Sequence, residues 1–490
     1  MCGLFGIVTR AGQPLPAGCF ARAARLLRHR GPDEATALSF LRDGGEARLT
    51  LGEGEPAPDA DLGFVFRRLS IIDLSSGGRQ PRRTPDGRFH LMFNGEIYNY
   101  RELRAELAAA GHRFASQSDS EVLLAALAAW GEAALARLVG MFALAFHDRQ
   151  TGQLWLARDF AGIKPLYYVA RPDCFAFASE PRALLELPGV GRAADAATLA
   201  SYLSLGATDR GEATFLAGIR RLPAASSLRV DLSSLRPDPP CAYWRPPEVC
   251  PRPMPEAAER LRQAFLQSVA LHLRSDVAVG VALSGGIDST AIVMAIRRHL
   301  GQEAPPRAFA YVAGGAFDEE PHAALAAQAA GLALTRIAIQ PGDLARDLPA
   351  LIAAQGEPFA STSIYAQYRV FQAAREAGVK VMLGGQGADE LLAGYAHFVP
   401  TRLVGLLASG RPGAAARLVA GGPLPAGGGR VGLLARGLAG LLPAGWREAV
   451  RRPPPGWLAR QWRRTAVPAP AFRDQVMASF TTDSLPALLR

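Results

Sequence analysis

The sequence predicts an α/β fold in two parts, a largely β N-terminal region and a parallel α/β C-terminal region. The chain has 490 residues, enough for two or three domains. Up to about residue 190, short apolar runs alternate with turn residues, which is typical of β-strands. A proline-rich cluster at residues 236–240 indicates a linker. After Pro255, apolar runs alternate with helical patterns, and this alternation predicts a parallel sheet.

The N-terminal region contains clear strand signals interrupted by two helical patterns. The predicted strands are Leu62–Ile72, Leu91–Phe93, Met141–Phe146, Leu154–Ala157 and Phe175–Ala178. Apolar residues on one face predict helices over Tyr100–Ala110 and Ser120–Trp130. Each helix follows a residue that is suitable as an N-cap.

The C-terminal region alternates strictly between the two kinds of element. The predicted strands are Val277–Leu283, Ala308–Val312, Thr335–Ile339 and Val379–Leu383. The predicted helices are Glu256–His272, Thr290–Leu300, Pro321–Ala330 and Ile364–Ala377. We expect residues 401–490, which carry the chain's excess of arginine, to form solvated helices.

The composition argues against several classes of protein. Five cysteines without metal-like spacing, and no signal peptide, favour a reducing, cytoplasmic location. No run of eighteen uncharged apolar residues is present, so we expect no membrane partner. The formal charge of +10 comes from residues 401–490, where no aromatic series alternates with the arginines. We therefore expect no nucleic-acid partner.

Cys2 is the first candidate for chemistry. An initiator methionine ahead of a small residue is usually trimmed, which would leave Cys2 with a free α-amino group beside its thiol. This amine titrates near pH ~8, so a single residue would hold a nucleophile and a base. The alternative is a buried N-terminal cysteine that acts as a small hydrophobic residue.

Seven patterns, the first of which contains Cys2, lie in order along the N-terminal half. They are Cys2–Gly6, His29–Asp33, Arg68–Asp73, Asn94–Asn99, Ser118–Glu121, Gly140–Ala143 and Ala157–Tyr168. Together they resemble the class II glutamine amidotransferase domain, over roughly residues 2–190. The resemblance implies an αββα sandwich of the N-terminal-nucleophile hydrolase type and the hydrolysis of glutamine to glutamate and ammonia.

The resemblance also implies a role for each residue. Cys2 would attack the side-chain amide, and the amide of Asn94 with the backbone N–H of Gly95 would stabilise the oxyanion. Arg68 suits the substrate carboxylate through its bidentate fork, and Asp119 with Glu96 suits the ammonium group. The full predicted glutamine site is Arg68, Leu69, Ser70, Ile71, Ile72, Asn94, Gly95, Glu96 and Asp119. Asn-Gly is also the strongest hairpin-turn dipeptide, so a turn at Asn94-Gly95 is the structural alternative.

A glycine-rich turn follows the first strand of the C-terminal half. Ser284-Gly285-Gly286-Ile287-Asp288-Ser289 precedes a helix, and backbone N–H groups at a helix N-terminus attract phosphate. Asp288 could hold Mg²⁺, and no Gly-Lys-Ser/Thr follows, so the loop is not of the Walker type. It resembles the pyrophosphate loop of enzymes that cleave ATP to AMP and pyrophosphate. The alternative is an ordinary strand–turn–helix connection.

A second signature lies near residue 385. Gly384–Glu390 with Gly394-Tyr395, together with 317–319 and 356–360, resembles the glutamine-hydrolysing asparagine synthetase family. This resemblance implies an acyl-adenylate of a carboxylate, such as aspartate, that ammonia attacks. It implies ATP contacts at Leu283, Ser284, Gly285, Gly286, Asp288, Ser289, Tyr311, Gly384 and Gly385, and a Mg²⁺ site at Asp288 and Asp389.

Two departures from the family pattern affect the expected activity. Gln386 occupies the position of a family glutamate that is important for adenylation, and a carboxamide cannot act as a general base. The acceptor is therefore left open between aspartate and a different carboxylate. The chain also ends at Arg490, where relatives continue and carry a further lysine, so it resembles a truncated or split member. These departures predict an intact or partial glutaminase activity with a weak or absent synthetase activity.

The predicted organisation is a glutaminase domain at residues 2–190, a connecting segment at 191–254 and an incomplete synthetase domain at 255–490. Two functions remain open at this stage. One is an ATP- and Mg²⁺-dependent amidotransferase acting on aspartate or on a larger carboxylate of polysaccharide or natural-product biosynthesis. The other is a synthetase-impaired glutaminase, with a homodimer or a complementing C-terminal chain as its possible partner.

Overall fold

The computed structural model describes residues 1–42, 44–209, 211–247, 252–301, 303, 305–314, 318–359, 361–395, 398–421 and 429–441. Phe317, Ala360 and the last part of the predicted synthetase domain, residues 442–490, lie outside this range. The helices of the described part include none that is long and apolar enough to cross a membrane.

Two antiparallel sheets form the N-terminal half. The first has the strand order β11-β9-β10-β1-β4-β2-β3. Its strands are β1 (Gly3–Thr9), β2 (Glu34–Leu41), β3 (Gly44–Leu51), β4 (Leu62–Arg68), β9 (Tyr167–Ala170), β10 (Cys174–Ala178) and β11 (Arg220–Arg221). The second has the order β13-β12-β8-β7-β6-β5, and β14 also pairs with β12. Its strands are β5 (Arg82–Arg83), β6 (Phe89–Ile97), β7 (Gly140–Asp148), β8 (Gln153–Arg158), β12 (Ser226–Asp231), β13 (Arg236–Pro237) and β14 (Cys241–Ala242).

Helices cover both outer faces of this pair of sheets. They are α1 (Cys19–Leu26) and α4 (Pro181–Leu184) on one face, and α2 (Tyr100–Ala109) and α3 (Asp119–Trp130) on the other; α5 (Ala196–Leu205) follows in the chain. One apolar core lies between the sheets, a second lies under α1 and α4, and a third lies under α2 and α3. Each sheet therefore buries both faces, and the predicted αββα sandwich is confirmed.

The C-terminal half has a four-stranded parallel sheet with the order β17-β16-β15-β18. Its strands are β15 (Val279–Ala282), β16 (Arg307–Val312), β17 (Leu334–Ala338) and β18 (Val381–Leu383). The helices of this half are α6 (Met254–His272), α7 (Ile287–Leu300), α8 (Glu320–Ala330), α9 (Pro341–Gln355), α10 (Ser363–Glu376), α11 (Ala388–Leu392), α12 (Phe398–Ala408), α13 (Pro412–Gly421) and α14 (Gly429–Leu441), of which the last three pack against one another. The predicted parallel sheet is confirmed.

The segment predicted to connect the two domains contributes to both N-terminal sheets. Strand β11 pairs with β9 in the first sheet, and β12 pairs with β8 in the second. The proline-rich cluster at residues 236–240 includes β13, which pairs with β12. Because these strands complete the sandwich, we propose that the glutaminase domain extends to about Ala242.

Candidate active site

Cys2 lies directly before β1, next to Leu69, the first residue after β4. The backbone N–H of Leu69 donates to the Cys2 Sγ atom at 3.3 Å, and the Arg30 Nε atom donates to the Cys2 carbonyl at 3.1 Å. Burial raises the pKa of the Cys2 thiol and lowers the pKa of the Met1 α-amino group to about 5. The thiol is therefore held in a defined place beside a buried amine.

Asn94 and Gly95 lie inside β6, paired with Ala143 and Phe142 of β7. The hairpin-turn alternative is therefore wrong. A β-carbon at Gly95 would lie 2.0 Å from the Met141 carbonyl oxygen, so glycine is needed for the close approach of the two strands. Both polar atoms of the Asn94 side chain are buried without a hydrogen-bond partner. Such an orphaned amide fits a group that is reserved for a ligand, as the oxyanion role requires.

The Arg68 guanidinium is buried and fixed by the loop that follows it. Its two terminal nitrogens donate to the carbonyls of Ser75, at 2.9 Å, and of Asp73. A β-carbon at Gly78 would overlap this guanidinium, so glycine makes room for it. Each terminal nitrogen carries two N–H groups, so these carbonyls do not use all of them, and the Glu34 carboxylate lies 3.8 Å from one terminal nitrogen.

Two buried carboxylates stand near Arg68 in the same cavity. Burial raises the pKa of Glu96 to about 7, although nearby Lys164 opposes the shift, and it raises the pKa of Asp119 to about 6. The Ile97 N–H donates to Asp119 Oδ2 at 3.1 Å and orients it at the start of α3. This pair can receive an ammonium group, which would lower both pKa values again.

Lys164 was not predicted as a site residue, yet it lines the same cavity as Cys2 and Glu96. The turn before it is rigid, since Asp159 accepts the N–H groups of Ala161, Ile163 and Lys164. Burial lowers the pKa of Lys164, while Glu96 counteracts this effect. The sequence feature that could have drawn attention to Lys164 is the rarity of lysine, since Lys164 and Lys380 are the only lysines among 54 lysine and arginine residues.

The nucleotide-type loop lies between β15 and α7. The Ser284 and Ser289 hydroxyls are 3.0 Å apart, and the Gly286 N–H donates to Ser284 Oγ at 3.2 Å. Gly285 has a φ of +87°, and a β-carbon there would lie 2.6 Å from the Glu319 carbonyl. The loop is thus a tight serine-lined turn that presents the N-terminus of the 14-residue helix α7.

The second signature, Gly384–Glu390, lies next to this loop. Gly385, after β18, lies so close that a β-carbon there would be 3.3 Å from the Ser289 nitrogen. Among the described residues, no group of three or more histidine, cysteine or acidic side chains is arranged to hold a metal. Asp288 and Asp389 instead fit Mg²⁺, which proteins often hold through one or two carboxylates together with substrate phosphates.

A single cavity of about 1500 Å³ connects the two constellations. All of the predicted site residues line it except Ser70 and Gly285. Among the described residues it runs from Cys2 and Asn94 at one end to Ser284, Asp288 and Gln386 at the other. The structure therefore brings together residues of both halves that lie almost 390 positions apart in sequence.

Comparisons with known proteins find a family match for each half of the chain. The glutamine amidotransferase domain family matches residues 1–244, and the asparagine synthase family matches residues 260–486. A putative asparagine synthetase [glutamine-hydrolyzing] of Mycobacterium tuberculosis H37Rv is 37% identical over 417 residues, which are 81% of this chain and 60% of the relative. The chain belongs to the glutamine-hydrolysing asparagine synthetase family.

Other members of the family and some solved structures are also similar. Asparagine synthetase [glutamine-hydrolyzing] 1 of Bacillus subtilis is 36% identical over 69% of this chain and 52% of its own length. The chain thus spans between half and two thirds of these asparagine synthetase relatives. A glutamine phosphoribosylpyrophosphate amidotransferase from B. subtilis aligns over 78% of this chain and 81% of its own, with 18% identity and a TM-score of 0.37.

Proposed function

We propose that this protein hydrolyses glutamine at Cys2 and uses the ammonia, with ATP and Mg²⁺, to amidate a carboxylate. The observation that carries this proposal is the shared cavity, which joins the Cys2 constellation to the Ser284–Ser289 loop. Ammonia released at one end can therefore reach the other end along this cavity. ATP would be cleaved to AMP and pyrophosphate, and aspartate is the first acceptor to test.

The chemistry at the first end follows from the geometry. Removal of Met1 gives Cys2 its own α-amine, which takes the thiol proton and later delivers it to the leaving ammonia. The Asn94 amide and the Gly95 N–H then hold the tetrahedral oxyanion. Arg68 binds the glutamine carboxylate, while Glu96 and Asp119 bind its ammonium group.

The second end is suited to phosphate and to a divalent ion. The Ser284 and Ser289 hydroxyls and the N-terminus of α7 would bind the pyrophosphate part of ATP. Asp288 and Asp389 would hold Mg²⁺, which supplies charge neutralisation when bound. Tyr311, at the end of β16, is 38% exposed and available to the nucleotide.

Gln386 favours a second candidate, the amidation of a carboxylate other than aspartate. It lines the cavity, and its carboxamide can donate or accept hydrogen bonds but cannot remove a proton. A larger carboxylate of polysaccharide or natural-product biosynthesis is the alternative acceptor. We place either reaction in the cytoplasm, because the cysteines of the described residues are all free thiols.

The test compares wild type with Cys2→Ala. We expect wild type to release glutamate from glutamine and to form pyrophosphate from ATP when aspartate and glutamine are present. Cys2→Ala should lose both activities with glutamine and keep pyrophosphate formation with ammonium. Glutamate release by Cys2→Ala would contradict the assignment of the nucleophile. Glutaminase activity without any glutamine-dependent pyrophosphate, across a panel of carboxylates, would favour a glutaminase alone.

A further inference from the structure

One loop of the N-terminal half shapes the glutamine end of the cavity. We name residues 69–77, which follow β4, the glutamine loop. Its first N–H group, that of Leu69, contacts the Cys2 thiol at 3.3 Å. Its carbonyls at Asp73 and Ser75 fix the Arg68 guanidinium. The position of this loop therefore sets both the nucleophile and the group that would bind the substrate carboxylate.

The loop contains a backbone conformation that needs support. Asp73 has a φ of +54°, in the left-handed region that residues other than glycine rarely adopt. Its carboxylate accepts N–H groups from Ser75, at 3.1 Å, and from Gln117, at 3.0 Å. Conformations of this kind persist where the surrounding structure holds them in place.

Asp276, in the synthetase half, also supports this backbone conformation. The Asp276 N–H donates to the Ile71 carbonyl at 3.0 Å, and its Oδ2 atom accepts the Asp73 N–H at 2.8 Å. These two hydrogen bonds clamp both sides of Ile72, which lines the cavity. Asp276 thus holds the glutamine loop at the residue with the positive φ.

Lys380 supports the glutamine loop at a second point. Its Nζ atom donates to Asp33 Oδ2 at 2.7 Å, and the same oxygen accepts the Ser70 N–H at 2.8 Å. The lysine charge therefore reinforces an acceptor that fixes the start of the glutamine loop. Lys380 itself lines the cavity.

These two residues share a place in the parallel sheet. Asp276 lies three residues before β15, and Lys380 lies directly before the neighbouring strand β18. At their other ends, the same strands lead into the Ser284–Ser289 loop and into Gly384-Gly385. The residues before β15 thus bond the glutamine loop directly at Asp276, whereas Lys380, before β18, reaches it through Asp33, and both strands lead into a nucleotide-type loop where they end.

We propose that Asp276 and Lys380 are positioning residues for glutamine hydrolysis, through which the synthetase half completes the glutamine site. This inference rests on the proposed glutaminase function of Cys2. The two side chains act through the glutamine loop and contact neither the thiol nor Asn94. Their removal loosens Arg68, and so it weakens the binding of glutamine more than the chemical step.

The experiment uses the full chain and steady-state glutaminase kinetics. Asp276→Ala and Lys380→Met should each raise the KM for glutamine about 10-fold, the loss expected for one hydrogen bond to a charged group, with a smaller change in kcat. Asp276→Asn keeps an acceptor for the Asp73 N–H, and Lys380→Arg keeps the charge. Both conservative variants should restore most of the affinity.

Two controls separate positioning from general stability. Glu102→Gln removes the ion pair with Arg274, another contact between the halves, whose two side chains bond each other and the Tyr98 carbonyl but no residue of the glutamine loop, and it should leave the KM unchanged. Ammonium-dependent pyrophosphate formation should stay within about two-fold in every variant.

Three results would overturn the inference. An unchanged KM in both Asp276→Ala and Lys380→Met, with an active wild type, overturns it while leaving the proposed function intact. A parallel loss of ammonium-dependent activity shows a structural role instead. A wild type without glutaminase activity overturns the proposed function first, and this inference with it.

Discussion

Gly385 packs against Asp288, and a β-carbon at Gly385 would lie 3.1 Å from the Asp288 β-carbon. The two residues come from different signatures, one after β18 and one in the first turn of α7. Their contact follows from the pairing of β15 with β18, which places the ends of both strands side by side. The nucleotide end of the cavity thus depends on the absence of a side chain at residue 385.

We expect Gly385→Ala to impair ATP use specifically. The added methyl group would displace Asp288 by a few tenths of an ångström, and sub-ångström shifts near reacting groups can cost about 10-fold or more in rate. Ammonium-dependent pyrophosphate formation measures this effect, and glutamate release should stay unchanged. Gly342→Ala is the control, because a β-carbon there would have no atom within 4 Å and the residue does not line the cavity. An equal loss in both variants would contradict this steric explanation.

Asn94→Ala should separate catalysis from stability. Loss of an oxyanion donor lowers the kcat of amide hydrolysis by about 10²–10³-fold. The Asn94 amide has no partner in the protein, so its removal should not reduce the melting temperature. Gly95→Ala, in contrast, should destabilise the sandwich, since its β-carbon would overlap the Met141 carbonyl. A glutaminase rate unaffected by Asn94→Ala would argue against the assigned oxyanion site.

The pH dependence of glutamine binding should report Glu96. With a pKa of about 7, this carboxyl is protonated below neutral pH and then cannot hold the substrate ammonium. The kcat/KM for glutamine should therefore rise with pH through about 7. Glu96→Gln cannot ionise and should therefore lose this pH dependence. The variant should also bind glutamine weakly. A pH profile that is flat between 6 and 8 in the wild type would contradict this assignment.

The buried pair His90 and His147 should limit stability in acid. Burial lowers the pKa of His90 to about 4 and of His147 to about 3, and Arg149 adds to both shifts. The other charged groups around the pair are Arg83, near His90, and Asp148, near His147. Both imidazoles are neutral in the folded protein, so their contribution to stability is full above pH 6.5 and is lost as the pH falls towards 4.

Thermal unfolding between pH 7 and 4.5 measures this effect. His147→Phe removes one titrating group at a site that already contacts Phe40 and Phe64. The melting temperature of this variant should fall less steeply with decreasing pH than that of the wild type. Parallel curves for the two proteins would show that the histidine pair does not set the acid limit.

Much of the fold could be predicted because its signals are local. The strands at Met141 and Phe175 and the helices α3 and α7 follow from short apolar patterns and caps. Helix α9 escaped prediction because Pro349 lies inside it, where proline is normally unfavourable. The predicted strand at 62–72 ends instead at Arg68, because the glutamine loop turns away there and reaches a positive φ at Asp73.

The candidate site was predicted through its motifs, but its long-range contacts were not. Lys380 and Asp33 form an ion pair although they lie 347 residues apart, and no local sequence pattern predicts that they meet. Lys164 belongs to a predicted motif, yet its place beside Glu96 depends on how Asp159 folds the preceding turn. The Asn94-Gly95 dipeptide is ambiguous alone, and its position in β6 depends on pairing with β7.

The most direct test of the shared-cavity account is an isotope competition. Wild type would receive ATP, aspartate, glutamine labelled with ¹⁵N in its side-chain amide, and an equal concentration of unlabelled ammonium. Mass spectrometry of the amide product then gives the origin of its nitrogen. We expect most of the product to carry ¹⁵N, because ammonia released at Cys2 reaches the Ser284–Ser289 loop through the cavity. Product that contains only unlabelled nitrogen while glutamine is being hydrolysed would contradict it.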